Sequence, residues 1–297
     1  MLAKHGSLRG DSTRCAMDEA DSWTCPTCRV AVATPYCPGC GERRLQARDL
    51  TLRGLLHQVL QSFTNLDARL LRSLRCLVQR PGALTVVYLH GPRKPYIGPL
   101  ALFLFANVLF VAMESLTGSN VFSTPLDKHL HAQPWSPLAQ QLVARHVAAA
   151  HTSITAYAAV FDPAVAAHAK SLVILMVLPF ALLPPLVFRR HRRPFVAHAA
   201  FSLHFHAFLL LLLSVALVVP LVDTLLGGPG LVSQALDNAI AIALLLGSGL
   251  YLYFSSGPVY EARGLRRVLQ AIALTLAAMV VFLGYRFVLL LITLQTT

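Results

Sequence analysis

Charge is what this sequence has least of. Only 13% of its 297 residues are Asp, Glu, Lys or Arg, while 56% are hydrophobic, a balance foreign to ordinary soluble domains. Acidic side chains are the scarcer sign, 13 against 25 Lys and Arg. Few of them fall in the apolar runs, so a carboxylate-driven ion pump has no support. Gly-rich phosphate loops, a Gly-x-Ser-x-Gly elbow and a His-Glu-x-x-His helix are all missing, and no enzyme is expected. Residues 1–22 lack the apolar core of a secretory signal and read as a flexible tail. Cysteine is sparse too. Cys15 and Cys76 stand alone, and the other four form two knuckles, which is not a secreted disulfide framework. A reducing, cytosolic setting for the N-terminal region follows.

The knuckles are Cys25-Pro26-Thr27-Cys28 and Cys37-Pro38-Gly39-Cys40, with Gly41 after the second. Four thiolates at this spacing suit tetrahedral Zn²⁺, which takes sulfur at roughly 2.3 Å. Pro and Gly favour the tight turns that aim successive sulfurs at one ion. A Cys₄ shell leaves no position for water or substrate, so the site reads as structural. Residues 23–44 are too short to bury a core, and metal binding would supply their folding free energy. A redox reading of the same pairs fits poorly, because redox Cys-x-x-Cys motifs sit in larger αβ domains.

Residues 45–96 read as an amphipathic helical neck. Leu52, Leu55, Leu56, Val59, Leu60 and Phe63 recur at helical spacing. Beyond a break at Thr64-Asn65 the apolar face continues through Leu66, Leu70, Leu74, Leu77 and Val78. Arg69, Arg72, Arg75 and Arg80 beside it suit anionic lipid headgroups; packing as a cytosolic hairpin on the membrane domain is the other reading. Pro81-Gly82 ends the helix, and Gly91-Pro92-Arg93-Lys94-Pro95-Tyr96 forms a basic collar.

Residues 97–297 form the transmembrane domain. Five apolar spans are expected, at about 97–116, 171–188, 199–221, 235–254 and 268–294, each near the length that crosses about 30 Å of hydrocarbon. Pro179 and Pro184-Pro185 mark the second as the one to kink. Arg93-Lys94, the run Arg189-Arg190-His191-Arg192-Arg193, and Arg263 with Arg266-Arg267 fall on alternate sides of successive spans. The connection containing Gly227-Gly228-Pro229-Gly230 has no Lys or Arg. The positive-inside rule therefore gives a cytosolic N-terminus, an outer C-terminus and an outer loop at 117–170. The formal charge of +12 is explained by these span-flanking clusters, and no nucleic-acid partner is expected. The expected fold is thus an all-α integral membrane protein headed by a zinc ribbon.

Cys25-x-x-Cys28 with Tyr36-Cys37-Pro38-x-Cys40-Gly41-Glu42 resembles the head of an uncharacterised bacterial family, domain of unknown function 3667. The resemblance continues through Arg80-Pro81-Gly82 and Gly91-x-Arg93-Lys94-x-Tyr96-x-x-Pro99. It returns in Val196-x-His198-x-x-Phe201-Ser202-Leu203-His204-Phe205-His206-Ala207-Phe208. Coverage is strong over about residues 25–116 and weaker over about 195–267. This chain has Ala197 where the family pattern often has an acidic residue. The resemblance implies a zinc-ribbon-headed membrane protein and no particular activity.

Within the spans, His198, His204 and His206 are candidates for a proton or metal relay completed by other helices. No pair stands at i, i+4, and interhelical hydrogen bonding is the plainer reading. Glu114 and Arg286 both fall toward the outer side. Arg286 is expected to pair with Glu114 or Asp223, or to snorkel outward. His129, His131, His146, His151 and His168 are expected as titrating surface groups of the outer loop, although they are also of metal-binding type. The Ala-rich stretch 142–161 reads as a helix that does not cross. The function expected is a non-enzymatic membrane protein whose metal-folded head contacts a cytosolic protein or regulates the bundle. The alternative is a small permease using the histidines of the third span.

Overall fold

The computed structural model describes residues 22–44, 67–189, 193–227 and 234–297. The tail, the first half of the neck with its Thr64-Asn65 break, and the middle of the Arg189–Arg193 run lie outside the described residues. The chain divides into two compact units, Met1–Leu45 and Gln46–Thr297.

The smaller unit carries a two-stranded antiparallel sheet, β1 (Trp23–Thr24) and β2 (Ala31–Val32), with Trp23 opposite Val32. An isolated bridge joins Tyr36 to Arg43. Among its described residues Cys25, Val32 and Cys37 form the buried apolar cluster, with Trp23 and Cys40 packed against it.

The larger unit is helical. Helix α1 (Asp67–Gln79) turns Leu77 and Ser73 inward, leaves Arg72 and Arg75 exposed and half-buries Arg69. The collar is tied to it: Arg69 donates to the Lys94 carbonyl at 2.7 Å, and the Ile97 N–H donates to Ser73 Oγ at 3.0 Å. Gly82 then breaks the chain with φ of 83°, and a Cβ there would lie 2.7 Å from the Ser255 carbonyl oxygen. Both the backbone angle and the close approach require glycine. Helix α2 (Ala83–His90) leads to α3 (Pro99–Thr117), which begins on Pro at its first turn and ends on left-handed Gly118.

The segment expected as an outer loop is folded. It holds α4 (Leu126–His131), α5 (Ser136–Ala149) and α6 (Ile154–Ser171), the last capped by the Ser153 hydroxyl. The second expected span, 171–188, is not one helix. It is a 3₁₀ turn (Val173–Met176) followed by α7 (Val177–Ala181) and α8 (Leu183–Val187). The 3₁₀–α7–α8 segment bends by 63° from α6. Pro179, Pro184 and Pro185 supply no N–H for the helical ladder, and their rings clash with the preceding turn, which is why the run breaks.

Three long helices complete the chain: α9 (Phe195–Leu225), α10 (Gln234–Tyr260) and α11 (Gly264–Thr296). With α3 they are the four helices among the described residues long and apolar enough to cross a membrane, and the bent α6–α8 segment makes a fifth if counted as one span. Helix α9 is the centre of the bundle. Residues Val196–Ala207 are all buried, and its small Ala197, Ala200 and Ala207, with Ala106 of α3, let the backbones approach closely. Leu246, Leu250, Leu269, Leu276 and Val280 are by contrast more than half exposed. Apolar surface of that extent belongs in hydrocarbon, so the chain is a multi-span membrane protein in contact with lipid.

Side-chain links fix how the helices run. His204 of α9 meets Thr85 of α2 at 2.8 Å, and Arg193 lies 3.2 Å from His90. The starts of α3 and α9 are therefore at the same end of the bundle. The broken segment runs along α11: Tyr285 donates to the Ala169 carbonyl at one end, and Gln270 to the Val187 carbonyl at the other. Residues 270 and 285 are about 22 Å apart along a helix at 1.5 Å per residue. The proline-rich segment thus returns the chain most of the way through the bundle between α3 and α9.

Candidate metal centre

Each knuckle is built the same way. In the first, the Arg29 N–H donates to the Cys25 carbonyl at 2.8 Å; in the second, the Gly41 N–H donates to the Cys37 carbonyl at 2.7 Å. The donating residue is left-handed in both, φ 60° at Arg29 and 68° at Gly41. These turns reverse the chain so that both sulfurs of a knuckle face one point. Cys25 also receives the first hairpin through its N–H to the Val30 carbonyl, and the Cys37 N–H donates to Glu42.

The two knuckles close on each other. The four Sγ atoms all lie within 4.8 Å of one another, with Cys25 to Cys40 at 3.4 Å and Cys28 to Cys37 at 3.3 Å. A tetrahedron with arms of roughly 2.3 Å has edges of about 3.8 Å, so one ion fits between them. The distances are too long for disulfides, whose sulfurs stand about 2.05 Å apart, and the cysteines are free. The Thr27 hydroxyl of the first knuckle donates to Glu42 Oε2 beyond the second at 2.7 Å, and Glu42 is buried. That clasp was not foreseen from the sequence; a Glu directly after a Cys-x-x-Cys-Gly was its only signal.

The electrostatics of the thiols point the same way. Burial raises the Cys37 thiol, but the Cys28 contact and the N–H groups of Cys40 and Gly39 outweigh it and lower the thiol to about 6. The Glu42 N–H lowers the Cys40 thiol, yet burial and its Cys25, Cys37 and Cys28 neighbours push it up to about 12. Four packed sulfurs cannot all ionise side by side. A cation at their centre removes that obstacle, because a coordinating thiol is deprotonated outright. The four cysteines are placed to hold a metal ion.

Residues 67–111 match the family described as Protein of unknown function (DUF3667). The matched stretch spans α1, α2 and much of α3, and it contains Gly82 and the Arg93-Lys94 collar. No curated protein and no solved structure matches the chain.

The other residues singled out from the sequence do not gather into a site. His198 bonds Tyr260 Oη at 2.9 Å, His204 bonds Thr85, and His206 returns to the Ser202 carbonyl of its own helix at 2.8 Å. Each ring is buried with a partner of its own. Arg286 forms an ion pair with neither Glu114 nor Asp223. Its guanidinium donates to the Val121 carbonyl at 3.2 Å and lies over the Phe282 ring, while the Val121 N–H donates to Glu114 Oε1 at 2.7 Å. One residue of the α3–α4 connection, Val121, thus stands between the two charges, its N–H on Glu114 and its carbonyl on Arg286. The outer histidines remain apart: among the described residues the four cysteines are the group able to hold a metal. His129 corrects the expectation of a surface group. It is fully buried, takes a hydrogen bond from Trp135 Nε1 at 3.2 Å, and packs edge-on against Phe161.

Proposed function

We propose that this chain is a non-enzymatic protein of the bacterial inner membrane, whose cytosolic head is folded by structural Zn²⁺ and serves as a contact surface for another protein. The observation that carries the reading is the closed four-thiol shell. With every tetrahedral position filled by sulfur, an ion there organises the chain and offers no site to a substrate. Exposed apolar side chains on the small head, Val30 at 55% and Tyr36 at 59%, suit a protein contact. The three α9 histidines are separately satisfied, so nothing carries the permease alternative.

The orientation proposed is N-terminus in and C-terminus out, with five crossings. The basic clusters before α3, before α9 and before α11 support it, and so does the shared end of α3 and α9. Helix α1 suits the anionic headgroup region: Leu71 and Val78 are exposed on one face, and Arg72 and Arg75 are exposed beside it.

Crosslinking and pull-down of the full chain against a variant lacking residues 1–45 tests the contact role. Loss of one specific partner on deletion is the expected result. An unchanged partner set contradicts the role.

A further inference from the structure

At the end of the bundle away from the collar, the α3–α4 connection, α4, α6 and α11 line a partly open cavity of about 320 Å³. That is the size of a small-ligand pocket. Lys128 and Arg286 line it, with Ser123, Thr124, Asn120 and Asp162. Two features in its wall are unfinished. Thr124 is 3% exposed and its hydroxyl has no partner, and Arg286 Nε is buried without one. Buried polar atoms normally have partners, and a guanidinium this near hydrocarbon normally has an anion. No carboxylate among the described residues comes within ion-pair distance of Arg286. Glu114 is engaged by the Val121 N–H instead, and one oxygen of Asp162 accepts the Leu126 N–H at 2.8 Å.

We infer that this cavity binds a phosphate-type oxyanion, with Arg286 and Lys128 supplying the charge and Thr124 and Ser123 the hydroxyl donors. Arg presents a planar fork of N–H groups that matches such oxygens, and Lys adds a point charge. A guanidinium, an ammonium, two hydroxyls and an amide are more donors than the two oxygens of a carboxylate can use; the oxygens of a phosphate can take them. The space left over admits the ester portion of a soluble phosphate monoester or of a lipid headgroup. Asp162 sets the limit on charge, since two cations face one carboxylate and the pocket keeps a single net positive charge.

The test uses the full chain in nanodiscs, read by thermal unfolding. In the first arm, inorganic phosphate is titrated onto protein in zwitterionic phosphatidylcholine. In the second, phosphatidylglycerol replaces part of that lipid with no phosphate added. Stabilisation in the first arm identifies a soluble ligand, and stabilisation in the second alone identifies a headgroup. Either supports the site if Lys128→Gln and Thr124→Val weaken the apparent affinity by about tenfold while Asp162→Asn strengthens it. Lys128 is exposed, so its replacement leaves the fold intact even where Arg286→Gln does not. No stabilisation in either arm, or equal stabilisation of wild type and Lys128→Gln, overturns the inference.

Discussion

Arg29 and Gly41 occupy the same place in the two knuckles, and only one of them is suited to it. A left-handed backbone costs a residue with a Cβ roughly 1 kcal/mol relative to glycine. Arg29→Gly is therefore expected to make the loaded head about 1 kcal/mol more resistant to chelator, and Gly41→Ala to make it weaker by a similar amount. Release of metal to a chromophoric chelator measures both. Equal effects in the same direction would contradict the paired geometry. None of this was visible in the sequence beyond the spacing. A Cys-x-x-Cys pattern says which atoms can meet, whereas the backbone angle at residue 29 depends on the hydrogen bond to Cys25. The histidines teach the same lesson. His198 and His204 are satisfied by Tyr260 and Thr85, partners from other helices that no spacing within α9 could reveal.

At the scale of elements, hydropathy predicted where the apolar runs lie and roughly how long they are. Helices α3, α9, α10 and α11 overlap the expected spans, and the last three run beyond them at both ends. It predicted less about 171–188, where composition is apolar and the prolines decide the geometry, and less again about 117–170. Helices α4 and α5 are too short to cross, and α6 passes as a span only together with the bent segment that follows it, yet α4 and α6 bury His129 and Phe161. Burial, with the Arg286 charge nearby, lowers His129 to about 4, against about 6.5 in an unfolded chain. Between these values the unfolded state takes up the proton first, so the contribution is present above pH 6.5 and lost as pH falls toward 4. Stability read by thermal unfolding is expected to fall by on the order of 2 kcal/mol as pH drops through that interval, and His129→Gln to flatten the dependence. An unchanged slope in the variant would contradict the burial argument. Elsewhere, Arg267 shows how a proline inside a helix is tolerated. Pro258 has no N–H to offer the Phe254 carbonyl, and Arg267 donates to it at 3.1 Å and to Tyr253 at 2.8 Å, lying across Gly257. Gly82→Ala tests the tightest contact of the neck: with φ of 83° and a carbonyl 2.7 Å from the new Cβ, a loss of about 2–4 kcal/mol is expected. Denaturant unfolding in detergent reads it, and a loss under about 0.5 kcal/mol would contradict the packing.

The whole molecule joins two units that hold together for different reasons. The bundle is stabilised by helix packing, hydrogen bonds between helices and its match to lipid. Among its described residues the head buries a small cluster around four cysteines placed to hold a metal ion, and on the proposed reading that ion supplies its folding free energy. On the proposed orientation, an outer label attached at Thr297 reacts in intact spheroplasts, whereas Cys25–Cys40 stay protected until the membrane is opened; the reverse pattern would contradict the orientation, and both ends reacting on one side would contradict five crossings. The direct test of the central claim is metal content of the purified full chain by mass spectrometry. About one zinc per chain is expected, lost when Cys37 and Cys40 are both replaced by Ser while the bundle still unfolds at its usual temperature. A wild-type chain purified without metal, or a double variant that keeps its zinc, would contradict it.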